Sequence, residues 1–394
     1  MHLYLLPLAF ALVGLALYTV LGGADFGAGF WQLVATDEDI RDEAHHSMAP
    51  VWEANHVWLI FVLTVVWTAY PEAFGSIAST LSVPLFVAGI GIVLRGGAYA
   101  LRAGTRTAAE QRRVDTLFAV SSILTPFALG TAVGGLASER VHVGNPGGSL
   151  VTSWLNPLSI TIGVLAVAVS AYMAAVFLSG DAVRHGNPAL AERFRTRALA
   201  AGVVAGAAAL AGIVVLHVDA ERLFTHLTQG DGLPALIVSV AAGAATLALL
   251  WRRRYEPARY TSALAVAAVI AGWALAQNPI LLRGLTIREA AASHDTLVAV
   301  VVAVLAGAVL LFPSLALLFR LTLRGELDHG VEAAPAAPLQ ALRPGVGGAR
   351  LAAALLVAGV GFLTVADAPW AHAIGVVCFF GFAVAGFRRV AEVD

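Results

Sequence analysis

The sequence contains no lysine; all 24 cationic residues are arginine. Charge of either sign is scarce, at 12% of 394 residues, where a soluble domain carries about 25%. So few charges cannot cover a folded surface in water, and a mean hydropathy of +0.82 points to lipid as the solvent. Cysteine is limited to Cys378, which excludes a disulfide framework and a thiolate metal site. A net charge of −1 provides no basic field for nucleic acid. There is no phosphate-binding Gly-Lys-Ser/Thr loop, no nucleophile elbow and no repeat of 20–50 residues, so nucleotide hydrolysis, esterase chemistry and solenoids drop out. The first residues lack a basic stretch and their apolar run continues past residue 20, so this segment reads as a retained helix, not a cleaved signal.

What remains is long apolar runs. A helix spanning a bilayer needs about 20 apolar residues. The runs predict eleven spans: 3–34, 50–70, 77–101, 116–137, 157–179, 198–218, 233–251, 260–276, 296–320, 351–368 and 370–387. The expected fold is an all-α, polytopic transmembrane helical bundle. Arginines alternate between loops. Arg102, Arg106, Arg112 and Arg113 follow span three; Arg184, Arg193, Arg195 and Arg197 follow span five; Arg252, Arg253, Arg254 and Arg259 follow span seven. Arg320 and Arg324 follow span nine, and Arg388 and Arg389 lie in the tail, while the intervening loops are poorer. Positive residues stay cytoplasmic, so the N-terminus lies outside and the C-terminus inside. Trp251, Tyr255 and Tyr260 flank a cytoplasmic loop as interfacial aromatics do. Composition divides the chain into a nine-helix core at 1–328, an Ala/Pro/Gly-rich linker at 329–349 and a two-helix extension at 350–394.

Ionisable residues inside a membrane are functional candidates, because burying a charge in lipid is costly. They gather toward the cytoplasmic ends of the first three spans. Asp25 sits in the small-residue run Gly22 to Gly29, about 30 Å below the helix start at about 1.5 Å per residue. Glu53 opens the second span, with Asn55 and His56 beside it, and Arg95 lies two turns before the end of the third. Glu53 and His56 share a face at i, i+3. A carboxylate and an imidazole side by side can accept and pass protons. The plainer reading pairs Glu53 with Arg95 at the interface, with Arg95 snorkelling toward water. The remaining histidines fall mostly in loops or at helix ends. His45 and His46 lie beside Asp42 and Glu43, a solvated loop more than a metal site, and no buried pair of histidines suits haem.

Three segments carry a family resemblance. Gly22-Gly23-Ala24-Asp25-Phe26-Gly27-Ala28-Gly29 is similar to Asp-Gly-Phe-Asp-Leu-Gly-x-Gly. Ala49-Pro50-Val51-Trp52-Glu53-Ala54-Asn55-His56-Val57-Trp58-Leu59, with Ala69-Tyr70-Pro71 after it, is similar to Gly-Pro-x-Trp-Asp-Gly-Asn-Glu-x-Trp-Leu and a following Ala-x-Pro. Leu94-Arg95-Gly96-Gly97-Ala98 is similar to Phe-Arg-Gly-x-Ala. Asn278-Pro279, Leu285-Thr286-Ile287 and His294-Asp295-Thr296-Leu297 agree further on. In this order and spacing the chain resembles subunit II of the cytochrome bd quinol oxidases, over about residues 1–325.

The resemblance implies a haem-free subunit packed against a haem-bearing subunit I, which oxidises quinol and reduces oxygen to water in the bacterial cytoplasmic membrane. Haem b and haem d-type groups would belong to that partner, and no cofactor would be bound directly by this chain. The resemblance leaves open a structural quinone on this chain. It also implies that Asp25 and Glu53 help convey cytoplasmic protons and that Trp52, Asn55, Trp58, Gly23, Gly27 and Pro71 are motif residues; the spacing described above adds His56 to the proton-transfer group and Arg95 as its charge partner. Two departures stand out: Gly22 replaces the first acid of the first motif, and His56 stands where Glu or Gln is usual. The last two helices could occupy the place of a small accessory subunit. Two other readings stay open, a proton-coupled secondary transporter built on Asp25, Glu53 and His56, and a purely structural scaffold.

Overall fold

Lipid offers backbone N–H and C=O groups no partner, so apolar runs of this length satisfy their hydrogen bonds internally, as helices. In a computed structural model of the chain, residues 2–35, 38–46, 52–102, 105, 107–144, 148–323 and 346–364 are described, with scattered residues between 370 and 382. The side chains of Trp52, Glu53 and Ala54, and those of His45 and His46, fall outside the described residues. Two compact units are formed, Met1–Leu310 and Leu311–Asp394.

The first span runs from Leu3 to Val34. It consists of a 3-10 turn Leu3–Leu5, α1 Leu6–Leu17, a π-turn Tyr18–Gly22 and α2 Gly23–Val34. There follow α3 Glu38–His46, α4 Trp52–Ala69, α5 Pro71–Thr80, α6 Ser82–Arg102 and α7 Ala108–Ala137. Next come α8 Pro157–Arg184, α9 Pro188–Asp219, α10 Glu221–Gln229, α11 Leu233–Trp251 and α12 Tyr255–Gln277. A short antiparallel hairpin, β1 Ile280–Leu282 and β2 Leu285–Thr286, leads into α13 Ile287–Ala290 and α14 His294–Leu323. Eight helices among the described residues are long and apolar enough to cross a membrane, and Asn55–Ala69 is a shorter apolar helix. The nearly all-helical, polytopic architecture is therefore the expected one.

The differences have local causes. The third span starts at Ser82 rather than 77, because the chain breaks at Leu81 and Pro71–Thr80 forms a helix of its own. The helices over 157–184 and 188–219 outrun the apolar runs. Their charged ends, the last turn of the first and the opening turns of the second, extend as helix; Asn187 caps the charged start of the second on the Leu190 N–H and Asn156 the apolar start of the first on the Ser159 N–H, each with proline at the first helical position. The hairpin and the amphipathic α10 have signals shorter than a spanning window and lie among residues expected to be loop. In the second unit, α15 Val346–Thr364 covers most of the expected 351–368. Residues 324–345, within which most of the expected linker falls, lie outside the described residues, as does most of the last expected helix.

Helices pack closely where side chains are smallest. A Cβ on Gly27 would stand 1.8 Å from the Ser170 carbonyl oxygen, so α2 and α8 meet backbone to backbone. One on Gly134 would meet Ser159 Cα at 2.4 Å, which brings α7 equally close to the start of α8. Around that first crossing the largest buried cluster assembles, including Trp31, Phe118, Met173, Phe194 and Leu250. Trp31 donates its indole N–H to the Ala171 carbonyl at 2.8 Å. At the outer end, the buried Tyr70 accepts from the Leu8 N–H at 3.1 Å and donates to the Tyr4 carbonyl at 2.5 Å.

Charged residues mark both ends. On the arginine-rich side, Arg184 pairs with Glu256 at 2.8 Å, Arg193 with Asp39 at 3.1 Å and Arg102 with Asp115 at 3.0 Å. On the opposite side, two arginines meet acids: Arg140 grips Asp219 with two bonds of 2.7 Å, and Arg222 reaches Glu139 at 2.5 Å. The Asp219 carboxylate holds Arg140 above its ordinary value, so it stays charged.

Candidate functional site

Asp25 lies in the first turn of α2 and is 5% exposed. Its Oδ2 accepts a 2.5 Å hydrogen bond from Asn55 Nδ2. Asn55 stands in the first turn of α4, so the carboxylate meets the positive end of that helix dipole. The same amide lies 3.4 Å from the Leu21 carbonyl, within the π-turn that precedes Asp25.

Arg95 enters from α6 and is fully buried. Its Nη2 donates to the Asp25 backbone carbonyl at 2.9 Å. The guanidinium lies 4.8 Å from the Phe26 ring centroid and 4.9 Å from that of Phe118. Aromatic faces attract a desolvated cation by up to about 2 kcal/mol. This corrects the plainer expectation for Arg95: it does not snorkel to water, because two rings and a carbonyl hold it inside the bundle. The sequence places Asp25, Glu53 and Arg95 at a similar depth; the fold joins Asp25 and Arg95 with Asn55, the neighbour of Glu53 on α4, from three helices. At about 1.5 Å per residue, Asp25 stands about 14 Å from the cytoplasmic end of α2 and Arg95 about 10 Å from that of α6.

His56 adjoins them, half-buried, with its ring 5.9 Å from Phe26. Tyr18, which the search for ionisable residues passed over, completes the group. It is 5% exposed, and its hydroxyl is 3.5 Å from His56 Nδ1. Phe118 was missed too, because an apolar run gives no hint of which ring will face a cation.

The other motif residues divide. Gly27 makes the α2–α8 contact, while a Cβ on Gly23 would only touch Ser170 Oγ at 3.7 Å. Trp58 stacks edge-on against Phe61, with centroids 6.4 Å apart. Pro71 opens α5. Glu53 and Trp52 lie on α4, and their side chains are among those outside the described residues. Glu43, beside the histidine pair, faces His185 at 3.2 Å. Among the described residues no three His, Cys, Asp or Glu side chains converge as a metal site.

A buried carboxylate, an amide that organises it, an arginine fixed beside it and a tyrosine–histidine contact form a polar island within an apolar bundle. That combination defines a polytopic membrane protein with ionisable groups enclosed among its helices. The family model for cytochrome bd terminal oxidase subunit II matches residues 3–322, and the chain belongs to that family. It is a multi-pass protein of the bacterial inner membrane.

A chain in the structure of bd oxidase from Geobacillus thermodenitrificans superposes with a TM-score of 0.65 at 25% identity, covering 82% of this chain and 99% of that one. The cytochrome bd ubiquinol oxidase subunit 2 of Bacillus subtilis (strain 168) is 26% identical over 111 residues, 28% of this chain and 33% of that protein. A second protein of that organism, provisionally named a cytochrome bd menaquinol oxidase subunit II, is 23% identical over 113 residues, 28% of this chain and 32% of its own length. The chain thus aligns with about a third of the length of these curated relatives.

Proposed function

We propose that this chain is the haem-free subunit of a quinol:oxygen oxidoreductase and conveys cytoplasmic protons to the site where a haem-bearing partner reduces oxygen to water. The observation that carries this reading is the enclosed Asp25 carboxylate, held at 2.5 Å by Asn55 and set beside the fully buried Arg95. A carboxylate removed from bulk water can hold and release a proton without losing it to solvent, and the fixed arginine stabilises its charged form. Glu53, at the start of α4, is the entry group; Asp25 and His56 receive from it. The haems of the partner would supply the electron chemistry, and the residues named here supply only the proton. Core, linker and two-helix extension keep the boundaries given above, the extension standing in the place of a small accessory subunit.

The experiment is oxygen consumption driven by quinol in the purified complex, with haem content measured on the same sample. Glu53→Gln and Asp25→Asn are expected to slow turnover while haem content stays at the wild-type value. Wild-type turnover in both would reduce the chain to a scaffold. Absence of any copurifying haem protein in mild detergent would turn attention to transport.

A further inference from the structure

Gly22 and His56 are the two departures from the resembled motifs, and one side chain touches both. The Tyr18 ring covers Gly22 so closely that a Cβ there would lie 3.1 Å from Cε2 and 3.2 Å from Cδ2. The hydroxyl of the same ring stands 3.5 Å from His56 Nδ1, with ring centroids 6.0 Å apart. Phe26 meets Tyr18 edge-on at 6.3 Å and His56 at 5.9 Å, so the phenol is confined between Gly22, Phe26 and the imidazole. Tyr18 also begins the π-turn, where wide i→i+5 bonding replaces the α pattern.

We infer that Tyr18 is a positioning residue for His56 in proton transfer, and that Gly22 is the residue whose missing side chain lets Tyr18 reach it. This rests on the proton-conveying reading above. The hydrogen bond made by one ring nitrogen selects the tautomer and so the role of the other. A phenol at Nδ1 therefore orients the imidazole and decides which nitrogen is presented to an incoming proton. At 3.5 Å the contact is at the outer limit of a hydrogen bond. A side chain at position 22 would displace the ring by a few tenths of an ångström, enough to make or break the contact. The two departures are thus one coupled change, with Tyr18 as the link.

The test uses the oxidase purified with its partner subunit and reads haem content and the pH profile of oxygen consumption. The charged and titratable groups around His56 are Tyr18 and Asp25 of the first span and Arg95 of α6, with Glu53 three residues away on its own helix. Tyr18→Phe is expected to lower turnover several-fold and to change the pH profile at unchanged haem content. In a His56→Gln background the same substitution should change neither. Gly22→Ala should reproduce the Tyr18→Phe profile in part, again only when His56 is present, and it carries the test if Tyr18→Phe does not assemble. A wild-type profile in Tyr18→Phe, or an effect of equal size with and without His56, would overturn the inference. If Asp25→Asn and Glu53→Gln also behave as wild type, the parent reading falls as well; if those two are slow while Tyr18 and His56 are uncoupled, only the positioning role falls.

Discussion

The side-chain amide of Asn55 donates to Asp25 Oδ2 at 2.5 Å, and both residues are buried. A hydrogen bond to a charged group is worth about 1.5–3 kcal/mol, and losing one inside the protein leaves the carboxylate unsolvated. Asn55→Ala is therefore expected to slow quinol-driven oxygen consumption in the purified complex. Haem content should hold, which separates a local effect on Asp25 from loss of the partner.

Arg95 should be harder to replace. Its guanidinium donates to the buried Asp25 carbonyl, and losing a hydrogen bond to a charged group inside the protein costs about 1.5–3 kcal/mol. Arg95→Leu is expected to reduce the yield of assembled oxidase, read as haem recovered per membrane protein. Arg95→Lys should rescue it only partly, since an ammonium cannot lie flat between the Phe26 and Phe118 rings. Full recovery with lysine would show that charge alone matters at this site.

Two glycines of one motif make contrasting demands. Gly27→Ala drives a methyl group into the Ser170 backbone, where only a helix shift can relieve the clash. Overpacking costs about 1–3 kcal/mol, and a lower thermal midpoint of the solubilised complex is expected. Gly23→Ala meets ordinary van der Waals contact at 3.7 Å and should leave the midpoint nearly unchanged. Equal midpoints for both would contradict the close approach of α2 and α8.

The short helix α13 carries an acid-sensitive cap. Thr286 and Glu289 form a reciprocal capping box: the Glu289 carboxylate accepts from the Thr286 N–H at 2.9 Å and from its hydroxyl at 2.8 Å. These bonds, the backbone one first, hold the Glu289 carboxyl below its ordinary value. A depressed folded-state value means that the cap's contribution is complete above the ordinary glutamate range and fades as pH falls through the folded value. The protection of the Thr286 amide against hydrogen exchange, relative to its intrinsic rate at each pH, should fall only in acid, and Glu289→Gln should remove that pH dependence.

The spans and the depth of the polar residues were legible because lipid imposes length and because arginines mark the cytoplasmic ends. Asp25, Glu53 and Arg95 could be placed at a common level on those grounds alone. Contact among Asp25, Asn55 and Arg95 could not, since rotation about each helix axis depends on packing partners such as Ser170 and Phe118. Tyr18 escaped for a different reason. A phenol in an apolar run looks like core, and nothing in the Tyr18–Gly22 sequence announces a π-turn. The hairpin at 280–286 and α10 were illegible because each is shorter than the window in which periodicity can be counted.

The π-turn at Tyr18–Gly22 makes the first span a geared shaft with one surplus tooth. Above it, the outer half is engaged through the Leu8 N–H and the Tyr4 carbonyl, both held by Tyr70. Below it, the inner half is engaged through Gly27 and Trp31 against α8. Deleting a single residue from the turn would restore α geometry and rotate one half against the other by about 100°, with about 1.5 Å of slip. Either end could then mesh, but not both at once, so the span tolerates substitutions within this turn far better than any change in its length.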